Sequence, residues 1–161
     1  MKNLLFIGLL FSTSFSMQAQ VKMPQPSSTQ TIKQDFGMGN IELTYSRPGT
    51  KGRKIFGDLV PFDKLWRTGA NAATIIKFSE PVEIMGKKID TGSYALYTIP
   101  GKETWEIILN KGVKNWGIDG YAETDDVARV KVEPMKMKSG IETFTMQFAN
   151  IKPESCELHI M

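Results

Sequence analysis

The sequence predicts an all-β fold, an antiparallel β-sandwich or jelly-roll-like barrel with one or two short helices. Three observations predict it. Runs of strand character recur at spacings of about 10 to 15 residues, punctuated by Gly or Pro. No long segment carries the helical period. One run, Ser93 to Ile99 (SYALYTI), is apolar on both faces, as a central strand covered on two sides must be.

The elements follow in order. Residues 1–20 (MKNLLFIGLLFSTSFSMQAQ) begin with Lys2, continue through an apolar stretch to Phe15 and end in small and polar residues. That is the pattern of a secretory signal peptide cleaved after Ala19 or Gln20. The apolar stretch is short of the roughly 20 residues that span a bilayer. No Cys follows it, so a lipid-anchored form is not expected, and no later segment reads as a membrane span. Residues 21–28 (VKMPQPSS) read as a polar, proline-containing flexible leader, and 29–161 as a single domain.

Within the domain, Asn40 to Arg47 alternates, with Ile41, Leu43 and Tyr45 on one face. Thr74 to Phe78 is a second run. Glu83 to Ile89 reads as a hairpin turning at Gly86-Lys87. After the central strand come Trp105 to Leu109, Val127 to Val132 and Thr143 to Phe148. CELHIM begins a last strand that stops at Met161, either a short edge strand or the cut end of a longer chain. The two helix candidates are Ile55 to Leu65, interrupted by Pro61, and Tyr121 to Val127.

Charge is local rather than global. The 161 residues carry a formal charge of +3, which becomes +2 without Lys2. Tyr45 to Asn71 (YSRPGTKGRKIFGDLVPFDKLWRTGAN) alone holds six basic residues against two acids, Asp58 and Asp63. A nucleic-acid partner asks for a strongly basic domain, so none is expected. Cys156 is the only cysteine and cannot form an internal disulfide. The fold must then hold by its core, which a chain of this length can bury.

The basic segment is the candidate site. Arg47-Pro48-Gly49 ends a strand in a tight turn and opens a long connection, a place where function concentrates. Arginine grips carboxylate or phosphate with a planar fork, and indole and phenol rings offer flat faces to a sugar. Tyr45, Arg47, Lys51, Arg53, Trp66, Arg67 and Asn71 are therefore the expected ligand residues, for a small anionic or carbohydrate ligand. The structural alternative is that the arginines pin a loop while Phe56, Leu59, Phe62 and Trp66 plug the end of the sandwich.

Two further readings stand beside these. A hydrolase-type enzyme would use Asp58 or Asp63 as acid/base with Arg47 and Arg67 stabilising negative charge. A cell-envelope structural or interaction protein would use a sheet edge. Elsewhere the signals are weak. No cofactor motif, nucleophile elbow or phosphate loop occurs. His159, the only histidine, lacks the company a metal needs, and Cys156, three residues before it, faces the opposite way on a strand. Asp119, Glu123, Asp125 and Asp126 read as a solvated acidic loop, and Tyr94 and Tyr97 as packing residues on opposite faces.

The blocks YSRPGTKGRKIFGDLVPFDKLWRTGAN, GSYALYTIPG and WEIILNK, in this order and spacing, resemble the bacterial family known as domain of unknown function 2911. The resemblance covers roughly Thr29 to Met161. It implies an exported, mostly-β domain, periplasmic or extracellular once its signal is removed, that continues past Met161 in other members. It implies no particular activity.

Overall fold

In a strand, successive side chains point to opposite faces, so a run buried at every second position must lie against something on one side only. The computed structural model describes residues 23–161; the expected signal peptide lies outside the described residues. Its strands are β1 (Ser28–Phe36), β2 (Gly39–Arg47), β3 (Thr74–Phe78), β4 (Val82–Ile84), β5 (Lys87–Ile89), β6 (Gly92–Ile99), β7 (Trp105–Asn110), β8 (Asp126–Val132), β9 (Met146–Lys152) and β10 (Ser155–Ile160). Six of them form one antiparallel sheet in the order β1-β2-β3-β6-β7-β8. The hairpins β4–β5 and β9–β10 stand apart from it as two-stranded sheets.

One face of the main sheet carries Ile41, Leu43, Tyr45, Ile76, Phe78, Tyr94, Leu96, Leu109 and Ala128. Val82, Ile84 and Ile89 from β4–β5, and Met146, Phe148, Cys156, Leu158 and Ile160 from β9–β10, pack against it. β9 lies against β1 and β5 against β8, so two hairpins share the work of the second layer. The opposite face is covered only in its middle, where Leu65, Ala73 and Tyr121 close over Ala95, Tyr97 and Ile108. β6 therefore buries Tyr94 in one cluster and Tyr97 in the other, as a strand apolar on both sides requires.

Several boundaries differ from the sequence reading. β1 was not expected: it buries Ile32 and Phe36 but also turns Gln30 and Gln34 inward, so its alternation is weak. The hairpin turn falls on Met85-Gly86, one residue early, with both residues at positive φ (48° and 81°) as a tight right-twisted hairpin demands. The helix expected over Ile55 to Leu65 is absent. Gly57 and Asp63 sit in the left-handed region and Pro61 has no N–H to give, so the stretch forms turns closed by one bridge, Phe56 to Val60. Of the second expected helix only a single 3-10 turn forms, Glu123–Asp125.

Two short pairings close one end of the sandwich and position the basic segment. Beyond Leu96, Trp66 replaces β3 as the neighbour of β6, exchanging backbone bonds with Thr98 at 2.7 and 2.9 Å. Past Arg47 the chain leaves the main sheet and pairs Pro48–Thr50 with Glu142–Phe144, through bonds of 2.9 and 2.7 Å. This second pairing ties the sheet to the chain that enters β9.

Candidate functional site

The pairing of Pro48–Thr50 with Glu142–Phe144 draws Tyr45, Arg47 and Trp66 around Phe144. The Phe144 ring lies edge-on to Tyr45 at 5.8 Å and to Trp66 at 5.1 Å. Phe56 and Trp105 extend this aromatic cluster outward, each packed edge-on to Trp66. Arg47 lies over it, its Nε donating to Phe144 O at 3.1 Å and an Nη to Thr145 Oγ1 at 3.0 Å. The Tyr45 hydroxyl, buried, accepts the Met146 N–H at 2.8 Å and lies 2.9 Å from Gln30 Oε1. Lys51 and Arg53 belong to the same end and are exposed. Arg53 donates to Thr50 O and Gly49 O, curling over its own turn.

Arg67 and Asn71 lie elsewhere. Trp66 faces the layer interface, so Arg67, the next residue, emerges on the opposite face of the main sheet. There it donates to Asn71 O at 3.1 Å and rests against Gly117 so closely that a Cβ on that glycine would stand 2.5 Å from its Nη1. The intervening backbone is wound unusually: Thr68 and Asn71 both have positive φ. For a β-branched residue that conformation is costly. It is held by the Thr68 hydroxyl on Thr98 Oγ1 at 3.1 Å and by the Thr74 hydroxyl on Thr68 O at 2.7 Å. The seven expected ligand residues therefore fall into two groups, Tyr45, Arg47, Lys51, Arg53 and Trp66 at the closed end and Arg67 with Asn71 on the outer face. Two hollows of about 270 and 400 Å³ lie at the other end, beside the turn after β1, and no residue of the basic segment lines them.

The electrostatics of the four arginines differ sharply. Arg129 lies within ion-pair distance of Glu106 at 2.7 Å, Asp126 at 2.9 Å and Glu123 at 3.3 Å. Burial opposes its charge, but its bonds to Glu106 and Asp126 outweigh that and raise its pKa. The Tyr121 hydroxyl, bonded to Asp126 at 2.9 Å, has its pKa pushed up to about 12 by burial and by that carboxylate. Among the described residues, Arg47, Arg53 and Arg67 have no carboxylate within 4.0 Å. Their donors meet neutral oxygens only, although Glu142 lies near enough to Arg53 to feel its charge.

Glu142 steadies the loop that carries Lys51 and Arg53. It accepts the Thr50 hydroxyl and the Lys51 N–H, and these bonds hold its carboxyl below the ordinary range, helped by the Arg53 charge. A depressed carboxyl stabilises the fold above its unfolded value of 4.5 and loses that contribution as pH falls through the lower folded value. The 48–53 connection is thus expected to loosen below about pH 4.5, and Glu142→Gln to remove that part of the acid dependence. Amide exchange of Lys51 from pH 6 to pH 3 in both proteins checks it; equal acid sensitivity would contradict it.

The remaining candidates stay minor. His159 pairs with Glu157 at 2.9 Å, while Cys156 packs on the core with its thiol pKa raised by burial. The acidic loop is only partly solvated. Asp119, Glu123 and Asp125 are exposed, but Asp126 is the half-buried partner of Arg129, Tyr121 and Asn110. This cluster is not legible in the sequence, because Arg129 meets Glu106 only through the cross-strand register of β7 and β8. Trp116, 64% exposed, is also faint in the sequence, its one signal being an indole set among Gly112, Gly117 and Gly120.

The chain matches the family described as "Protein of unknown function (DUF2911)" over residues 27–161. It is a member of that family. No curated protein and no solved structure matches it. Most of the described part of this DUF2911 chain is thus covered by the match, including both groups of arginines. No helix among the described residues is long and apolar enough to cross a membrane.

Proposed function

We propose that this DUF2911 chain is an exported binding module for a small anionic or carbohydrate ligand, held by the basic segment. One observation carries the reading: among the described residues Arg47, Arg53 and Arg67 have no carboxylate within 4.0 Å, whereas Arg129 meets three. A cation held by neutral carbonyls is positioned but still attractive to an outside anion. At the closed end Lys51 adds a mobile charge, and the aromatic cluster of Phe56 and Trp66 gives an apolar floor. The surface is open, so binding is weak, fast and sensitive to salt.

The hydrolase reading has less support. It asks an aspartate to share a cavity with Arg47 and Arg67, but those arginines are on opposite faces and Asp58 and Asp63 are exposed. The test is calorimetric titration with a galacturonate trisaccharide and with inorganic phosphate. Replacing Arg47, Arg53 and Arg67 together by Gln is expected to weaken binding of at least one probe by tenfold or more, on the order of one or two charge-assisted bonds. Unchanged affinity in the triple variant, or no binding by the natural sequence, would remove the proposal.

A further inference from the structure

We infer that the outer face of the main sheet holds a saccharide-binding patch formed by Trp116 with Arg67 and Asn71, and that its ligand is a sugar carrying a carboxylate. The inference rests on the binding reading above and specifies its face and ligand class.

Trp116 is 64% exposed, although the loop that carries it is tightly fixed. The Asn115 side chain at its centre donates to the Tyr97 hydroxyl at 3.2 Å. Gly112 and Gly120 wrap that amide so closely that a Cβ on either would collide with it. Asn115 O accepts the Ala73 N–H, joining the loop to the segment after Asn71. Gly117, at φ +67°, presses on the Arg67 guanidinium. An indole that stays exposed on a fixed loop costs little ordering to use, which is what a recognition surface needs.

The chemistry selects the ligand. The exposed apolar surface here is one indole and Ile118, far less than the roughly 1,000 Å² a specific protein contact covers. It suits the flat apolar face of a single sugar ring. The Arg67 guanidinium abuts Gly117, the residue after the indole, and has no carboxylate within 4.0 Å among the described residues; with Nη1 on Asn71 O, its Nε and other Nη are the donors offered to a carboxylate on that ring. Asn71 lies on the same side; its Nδ2 is taken up by Gln25, Ser27 and Ser46 at 3.3 to 3.4 Å, which leaves its Oδ1 as the acceptor for a hydroxyl. Trp66 cannot take this role, because its rings are packed among Phe56, Trp105 and Phe144.

The experiment is calorimetry of the full chain with a galacturonate trisaccharide, its neutral galactose counterpart and inorganic phosphate. The trisaccharide is expected to bind more tightly than either control. Trp116→Ala and Arg67→Gln should each weaken it about tenfold, while Trp116→Tyr recovers part of the loss. Gly117→Ala should act like Arg67→Gln by displacing the guanidinium, with folding of each variant checked by circular dichroism. If binding survives these changes and is lost in Arg47→Gln with Arg53→Gln, the patch is wrong while the binding reading stands. If no probe binds the natural sequence, both fail. A Trp116→Ala variant that keeps its saccharide affinity but loses self-association in sedimentation would assign the indole to a protein contact and overturn the inference.

Discussion

Replacing Arg129 with Met is expected to destabilise the fold by about 2 to 3 kcal/mol, below the range for a fully buried pair because the side chain is 31% exposed. The reason is the company it leaves behind. Asp126 is only 10% exposed and Glu106 25%, and Glu123 is also within reach of the guanidinium. Without Arg129 these carboxylates repel one another, and the cation left within 4.0 Å of them among the described residues is the exposed Lys131, 3.9 Å from Glu106. The Tyr121 and Asn110 bonds to Asp126 cannot supply a charge. Adding Asp126→Asn to Arg129→Met should recover part of the loss, and a double-mutant cycle in urea reads the coupling. A single-variant loss under about 0.5 kcal/mol would show that solvent already screens the cluster.

Removing one oxygen, by Tyr45→Phe, is expected to cost about 1 to 3 kcal/mol. The ring would still pack against Phe144, so the loss isolates the hydroxyl. That hydroxyl is the partner of the buried Met146 N–H, and it joins β2 to the first residue of β9 across the layer interface. The apolar replacement leaves the donor without a bond where water does not enter. Urea unfolding should show a lower midpoint at an unchanged slope, since little surface changes. An unchanged midpoint would mean that β9 shifts to pair elsewhere.

These two residues also show what a sequence exposes and what it hides. Tyr45 sits in a strand whose alternation is plain, so its burial was legible, and the same holds for β3 and for the doubly apolar β6. β1 was not legible, because Gln30 and Gln34 take inward positions where apolar residues are expected. The Ile55–Leu65 segment reads as helix by composition, yet left-handed residues at Gly57 and Asp63 set its path, and conformations of that kind leave a weak trace in side-chain character. The basic segment was legible as a cluster in sequence but not as two groups in space. The split depends on Trp66 pairing with Thr98, which turns Trp66 and Arg67 to opposite faces. The same limit applies to Arg129, which meets Glu106 across the β7–β8 register, and to the loop of Trp116, which is fixed through Asn115 to Tyr97 and Ala73.

Binding as proposed falls to Arg47, Arg53 and Arg67, which are held by neutral oxygens and have no carboxylate within 4.0 Å among the described residues. Side-chain Nε–H resonances of all four arginines, followed by NMR while the galacturonate trisaccharide is added at low salt, test this most directly. Saturable shifts at one or more of Arg47, Arg53 and Arg67, weakened by added salt, with Arg129 unmoved in its carboxylate cluster, are the result expected. Four resonances that stay still throughout, or that all drift together without saturating, would contradict it.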